Sequence, residues 1–453
     1  ITVFAITVFP EPVEPSIAAC LANTPVFIST ISPVSLRSPS NIPFAFIRFL
    51  RLGSGVSRIS LTRSLNGAAS SSDIPHRTQV LHLTLTAGEL WAGQTQGGGA
   101  SRRDMSRIPL ALPIWTEEME KAALRVFESK RWVKGPESKA FGEEFAQWCG
   151  ATTAVPCQSG SAALWAALRL LEIGPGDEVI VPSLTFIATA TSVSLTGATP
   201  IFADVENDYW CICPDDVEKK ITERTKAVIG VHLFGQPFSS RLRNICDSNN
   251  LALIEDAAQA HGATLDGKMV GSIGDVACFS FFPSKNMAVG GEGGMVTTIR
   301  DELSTRLRRI IDHGRSDMLE AVELGTNLRM SEVMAAIGRV QLKHVDDWTK
   351  KRREHSIKIN HSTTIRNGAE HAWHQLCILS ENPFELIERL NKADIDARIH
   401  YPIPCHRQAV FTSHPQHESN LPVCENISHR LVAIPVHPSL SEEDLIRINS
   451  VLN

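Results

Sequence analysis

The spacing of apolar residues divides this chain into stretches of different character. From Trp115 to Phe127 apolar positions recur at helical spacing, and Lys134-Gly135-Pro136 interrupts the pattern. Glu137 to Trp148 predicts a second helix, closed by Gly150. After Ala154-Val155-Pro156, short apolar runs alternate with amphipathic ones. Glu178 to Val181, Pro200 to Asp204, Ala227 to His232, Leu251 to Glu255, Val276 to Phe282 and Met295 to Thr298 predict strands. Ala162 to Leu171, Phe186 to Leu195, Asp215 to Ile221 and Leu242 to Ser248 predict helices. Strands alternating with helices imply an α/β body, a largely parallel sheet covered on both faces.

The alternation stops near Ile299. Glu302 to Ile311 predicts a helix, and Ser331 to Arg353 one long helix with Val333, Ile337, Val340 and Val345 as apolar positions. A strand (Glu370 to Ile378), a helix (Pro383 to Asn391), a strand (Ala397 to Tyr401) and a last helix (Ser439 to Val451) follow. Ser441, with Glu442 and Glu443 behind it, opens that last helix. The expected organisation is a large domain over 105–330, with its N-terminal helices, and a smaller α+β domain over 331–453.

Residues 1–104 show no such period. Lysine is absent before Lys121, and Glu11, Glu14, Asp73 and Glu89 are the only acidic residues before Asp104. Ser70 to Asp73 and Gln94 to Ser101 are low-complexity patches. Ile1 to Phe9 lacks a basic flank and Ala18 to Ala22 is a weak cleavage-like site, which speaks against a signal peptide. The expectation is a disordered or spurious extension, read from upstream of the natural start; the competing reading is a small β-rich domain.

Composition narrows the function. The 453 residues, 43% of them hydrophobic, suffice for two packed layers or domains. A net charge of −5 and a pI near 6.4 point to neither nucleic acid nor an anionic membrane. No apolar run approaches the roughly 18–20 residues of a membrane span. The ten cysteines are scattered, and Cys211-Ile212-Cys213 has neither zinc nor redox-motif spacing, so they read as free thiols of a reducing cytoplasm. No histidine pair has metal-ligand spacing, and no metal is expected.

The chemistry concentrates at strand ends. Ser280-Phe281-Phe282-Pro283-Ser284-Lys285-Asn286 places a lysine after an apolar strand and ahead of Gly290-Gly291-Glu292-Gly293-Gly294. A lysine buried there loses proton affinity and becomes a usable nucleophile. A second strand ends in Glu255-Asp256-Ala257-Ala258-Gln259. Lysine and carboxylate together suggest pyridoxal phosphate: the amine makes the imine and the aspartate holds the ring-nitrogen proton. Asp256 alone has a second, lesser reading as a helix N-cap after a strand. A helix starting there would point Gln259 at the same ring. Ser159-Gly160-Ser161 sits at a strand-to-helix turn fit for a phosphate, although by itself it is also an ordinary cap. Ser280 could add a hydroxyl, and Phe186 could stack on a ring or simply pack in the core. His232, His261 and His313 could reach the cleft, a structural role being the plainer reading of each. Asn327 and Arg329 precede the long helix without an evident structural reason.

In this order, the motifs resemble the DegT/DnrJ/EryC1/StrS family of pyridoxal phosphate-dependent sugar aminotransferases, from about Ile108 onward. The matching text includes Arg131-Trp132-Val133-Lys134-Gly135-Pro136, Gly176-Asp177-Glu178-Val179-Ile180-Val181-Pro182, Asn327-Leu328-Arg329-Met330-Ser331-Glu332 and His400-Tyr401-Pro402-Ile403-Pro404-Cys405-His406. The resemblance implies the aspartate aminotransferase fold (fold type I), with a mostly parallel seven-stranded sheet. It implies Lys285 as the cofactor-bearing lysine and proton shuttle, Asp256 at the pyridine nitrogen, Gln259 at the phenolic oxygen and Phe186 on the ring. Gly160, Ser161 and Ser280 would hold the phosphate, and Asn327 would reach the neighbouring subunit's cofactor in a homodimer with shared sites. The implied reaction moves an amino group from an amino acid, typically glutamate, to the keto group of a nucleotide-linked deoxysugar or related cyclitol. Dehydratases of the family typically replace the lysine with histidine, so Lys285 speaks against that branch; a regulatory homologue is the remaining alternative. The chain is shorter than the family between the long helix and His374, which bears on substrate identity.

Overall fold

The computed structural model describes residues 45–51, 56–63, 79–86, 107–316, 318 and 320–453. The chain forms two compact units, 1–103 and 104–453. In the first, β1 (Ala45–Arg51), β2 (Val56–Arg63) and β3 (Gln79–Thr86) form an antiparallel sheet in that order. The rest of the first hundred residues, including Ile1 to Phe9, Ala18 to Ala22, Ser70 to Asp73 and Gln94 to Ser101, lies outside the described residues.

The second unit opens with α1 (Glu117–Ser129) and α2 (Pro136–Cys149). Then come β4 (Thr153–Cys157), α3 (Gly160–Leu170), β5 (Glu178–Pro182), α4 (Ala188–Leu195) and β6 (Thr199–Ala203). They continue as α5 (Pro214–Lys220), β7 (Thr225–Val231), α6 (Arg241–Ser248) and β8 (Ala252–Asp256). The short strands β9 (Thr264–Leu265) and β10 (Lys268–Met269) lead to β11 (Val276–Ser280), β12 (Gly294–Thr298) and α7 (Ser304–Ile311).

The main sheet has seven strands in the order β4-β12-β11-β8-β7-β5-β6. β6, β5, β7, β8 and β11 pair in parallel, while β12 is antiparallel to both β11 and β4. The expected mostly parallel α/β architecture is therefore present. β4, β5, β8 and β11 are apolar enough to lie buried along nearly their whole length, as strands covered on both faces must be. Their carboxyl ends emerge on one edge, where ligands bind in open α/β sheets.

The remaining elements are α8 (Glu332–Leu342), α9 (Val345–Lys358), β13 (Ala369–Glu370), β14 (Leu376–Leu379) and α10 (Pro383–Lys392). β15 (Arg398–Ile399), α11 (Pro422–Ile427), β16 (Leu431–Ile434) and α12 (Glu442–Leu452) complete the chain. β14, β16 and β15 form an antiparallel sheet over a core that includes Leu376, Leu390, Val432, Ile434 and Ile448.

The expected continuous helix over Ser331 to Arg353 is broken. Lys343 N–H bonds Val340 O at 3.2 Å and His344 N–H bonds Gln341 O at 2.9 Å, contacts three residues back that tighten α8 to a close. α8 packs Ala336, Ile337 and Val340 on Met119, Ala122 and Val126 of α1. The expected strand over Glu370 to Ile378 is also two: β13 joins β9, β14 joins β16, and residues 371–375 cross between them.

Candidate active site

Asp256 ends β8 and is 6% exposed. Thr189 Oγ1, in the first turn of α4, donates to its Oδ2 at 2.8 Å, and Ala258 N–H reaches Oδ1 at 3.2 Å. Burial raises the carboxyl's pKa, while those two donors, then Lys285 and His232, pull it down. Among the described residues no cation lies within ion-pair distance of Asp256.

One strand away, β11 ends at Ser280. Phe281 N–H bonds Gly293 O at 2.8 Å, and Lys285 N–H bonds Phe282 O at 2.8 Å to close the lysine turn. Lys285 keeps some contact with solvent, yet the surrounding protein lowers its ammonium to about 8, against the pull of Asp256. Desolvation wins because a compact ammonium loses more hydration than one carboxylate returns. The next residue, Asn286, is buried: its Nδ2 donates to Ala372 O at 2.9 Å and its Oδ1 lies 3.3 Å from His374 Nδ1.

The start of α3 closes in beside this turn. Ser159 Oγ accepts from Ala162 N–H at 3.1 Å, the expected cap. The N–H groups of Gly160 and Ser161 have no acceptor among the described residues. A Cβ on Gly160 would stand 2.7 Å from Ser280 Cβ, and one on Gly294 2.4 Å from the Ser159 carbonyl. These glycines are required by close approach, which draws a helix N-terminus against the strand end that carries Ser280.

Gln259 is 4% exposed, and no helix carries it: residues 257–262 form consecutive turns, with Ala260 N–H on Ala257 O at 3.0 Å. Its Oε1 accepts from Phe234 N–H at 2.6 Å and its Nε2 donates to Tyr401 Oη at 2.8 Å. Phe186 lies ahead of α4 rather than on it, because the helix begins two residues later. It is 55% exposed, with its ring 6.2 Å from that of Tyr401. Asn327 is exposed, at a bridge with Asp312, while Leu328 O accepts from Gln158 N–H at 2.7 Å beside the α3 turn. Arg329 and Lys134 both pair with Asp312, which gives that loop its structural reason.

The three histidines divide. His232 lies stacked on Phe238 with Nε2 2.9 Å from Glu255, whose carboxylate also accepts from Gly271, Ile273 and Gly274 N–H. His261 packs between Phe279 and Phe281, where burial lowers it to about 3. His313 sits in the left-handed region at φ 61° and bonds Thr326 O through its N–H. The structure thus brings Lys285, Asp256, Gln259, Phe186, Ser280, Gly160 and Ser161 to one sheet edge, with Asn327 on the adjoining loop. Thr189 and Phe234 join them without having been singled out in the sequence, and Asn286 and Tyr401 join them from quoted motifs in which neither had been given a role. Thr189 had a signal, standing three residues after Phe186 where a helix would return it to the strand end.

Comparison with known proteins agrees with this geometry. The model of the DegT/DnrJ/EryC1/StrS aminotransferase family matches residues 113–453. The dTDP-3-amino-3,4,6-trideoxy-alpha-D-glucose transaminase of Streptomyces venezuelae is 37% identical over 364 residues, covering 77% of this chain and 96% of that protein. The UDP-N-acetyl-3-dehydro-alpha-D-glucosamine 3-aminotranferase of Acidithiobacillus ferrooxidans is 39% identical over 337 residues, covering 72% of this chain and 91% of that one. The crystal structure of S. venezuelae DesV in complex with a ketimine intermediate matches with a TM-score of 0.72 at 37% identity, over 74% of this chain and 93% of that chain. The chain belongs to the DegT/DnrJ/EryC1/StrS aminotransferase family.

Proposed function

We propose that this aminotransferase holds pyridoxal 5′-phosphate and moves an amino group from an amino acid, glutamate, to the keto group of a nucleotide-linked deoxysugar or related cyclitol. The observation that carries the reading is the unfilled N-terminus of α3 against Ser280, with Lys285 and Asp256 at neighbouring strand ends. The residues fit the cofactor. Free N–H groups at a helix start favour a phosphate, and a buried carboxylate without an ion pair suits a protonated ring nitrogen. When bound, the cofactor links to amines through its aldehyde and withdraws electrons from the carbon beside them.

The chain's own groups do the rest. Gly160 and Ser161 N–H and the Ser280 hydroxyl bind the phosphate, and Phe186 covers the ring face. Asp256, fixed by Thr189, keeps the ring nitrogen protonated. Lys285 Nζ, already lowered to about 8 by burial, takes the proton from the donor's α-carbon once its amine is free. Gln259 presents a neutral amide to the phenolic oxygen, which leaves that oxygen's charge in place.

The working unit is a homodimer in which Asn327 of each subunit serves its neighbour's phosphate. Exposure of Asn327, and of the Phe127 and Trp132 rings 6.3 Å apart on the α1 side, supports this. Residues 105–330 form the cofactor-binding body and 331–453 the smaller domain. The nine cysteines among the described residues are free, and no described helix is long and apolar enough to cross a membrane, which fits a cytoplasmic enzyme.

The test is the absorption spectrum of purified protein with pyridoxal phosphate. A visible band that glutamate bleaches and a keto-sugar nucleotide restores supports both halves of the reaction. Absence of any band overturns the cofactor reading, and bleaching without restoration by any keto-sugar nucleotide or keto-cyclitol overturns the acceptor.

A further inference from the structure

Gln259 is held at both ends of its amide. An amide oxygen only accepts and an amide nitrogen only donates, so Phe234 N–H on Oε1 and Tyr401 Oη on Nε2 together fix which end faces which way. Tyr401 arrives from 142 residues along the chain. Its ring lies nearly parallel to that of Phe234, at 6.3 Å and 13°, and beside Phe186.

The segment behind Tyr401 is anchored to the strand end that leads into Phe186. Cys405 N–H donates to Ser183 O at 2.8 Å, and Ser183 Oγ lies 2.6 Å from His406 Nδ1. His406 Nε2 is in turn 3.0 Å from Glu425 Oε1. Burial pushes the Tyr401 phenol above its ordinary range, so it stays a neutral hydroxyl. That hydroxyl takes one of the two Gln259 amide hydrogens, and the other has no acceptor among the described residues.

We propose that Tyr401 is a positioning residue for the cofactor: it locks the Gln259 amide so that its second N–H meets the phenolic oxygen. This rests on the pyridoxal phosphate reading given above. An N–H held on that oxygen stabilises its negative charge, and so lowers the pH at which the bound cofactor's visible band titrates. Without Tyr401, one backbone contact remains to orient the amide, which then turns away part of the time.

Tyr401→Phe keeps the ring and removes the oxygen. In protein loaded with pyridoxal phosphate, the midpoint of the band's pH titration is expected to rise by about half to one unit. Cofactor affinity, measured by equilibrium dialysis, is expected to fall about 3- to 10-fold. Gln259→Ala moves the midpoint the same way, and adding Tyr401→Phe to Gln259→Ala moves it no further. An unmoved midpoint in Tyr401→Phe, or shifts that simply add in the double variant, overturns the role of Tyr401 while leaving the cofactor reading intact. A wild-type protein that takes up no pyridoxal phosphate overturns both, and is told apart by its missing band.

Discussion

Two helices of this unit begin in opposite circumstances. At α2, Glu332 fills the N-terminus from 195 residues away: it accepts from Glu137 N–H at 2.7 Å and from Ser138 N–H at 3.3 Å, and also holds the Ser138 hydroxyl. Glu332 is 0% exposed, and a Cβ on Gly135 would lie 2.5 Å from its Oε2. At α3, the protein supplies one serine oxygen to Ala162 and leaves the first two N–H groups open. Both ends gather the same unpaired donors and positive dipole. What separates a structural terminus from a binding terminus is whether the chain brings its own anion.

The largest test of this contrast removes the chemistry beside the open end. Lys285→Ala is expected to lower transamination by about 10⁴-fold, the upper range for loss of a general base, with phosphate affinity at α3 retained. A rate within tenfold of wild type would detach the open terminus from catalysis. Next in size, Glu332→Ala is expected to cost about 2–4 kcal/mol in chemical denaturation, because buried donors lose a charged acceptor. Added formate or phosphate should restore part of that loss by occupying the vacated end; an unchanged denaturation midpoint would erase the distinction between the two helices.

A smaller effect follows from the lysine's environment. Lys285 stands at about 8 in the folded, cofactor-free chain against 10.5. The unfolded chain binds more protons between those values, so stability rises with pH from about 8 to 10.5. Lys285→Met should therefore stabilise the cofactor-free protein below pH 8 by about 1–2 kcal/mol, allowing for the lysine's residual solvent contact. The gain should fade as pH approaches 10.5, and a pH-independent gain would show packing at work instead. Smallest, Gly160→Ala should weaken pyridoxal phosphate binding about tenfold by pushing Ser280 aside. The same change at Gly135 should leave cofactor binding alone and lower stability.

The open terminus was legible in the sequence and the filled one was not. Ser159-Gly160-Ser161, Asp256, Gln259 and Lys285 sit in short segments where a strand pattern gives way to small or polar residues, and local chemistry announces them. The mostly parallel α/β architecture followed from the same alternation, while the count of seven strands came with the family resemblance. Glu332 looks locally like a first-turn acid of its own helix, and nothing near it in sequence mentions α2. The contacts of Tyr401 and Asn286, residues of motifs quoted from the sequence, escaped for the same reason, since their partners lie 142 and 86 residues away. The close of α8 at Lys343 was hidden because apolar spacing continues through Val345 into α9, while the turn is made by backbone bonds to residues three back. Gln259 was expected to share a helix with Asp256; two turns do the same work, and periodicity cannot tell them apart over four residues.

The plug at α2 also bears on synthesis. Helix α2 leaves the ribosome long before the carboxylate that completes its first turn. At about 5–20 residues per second, the intervening chain takes on the order of 10–40 s to appear. During that interval the nascent helix start carries unclaimed donors next to apolar Phe141 and Phe145, which belong to the core it will later share with Phe279 and Phe281. A ribosome stalled before codon 332 would hold a chain that already encodes Gly160, Ser161, Asp256, Gln259, Ser280 and Lys285, while the start of α2 still lacks its carboxylate.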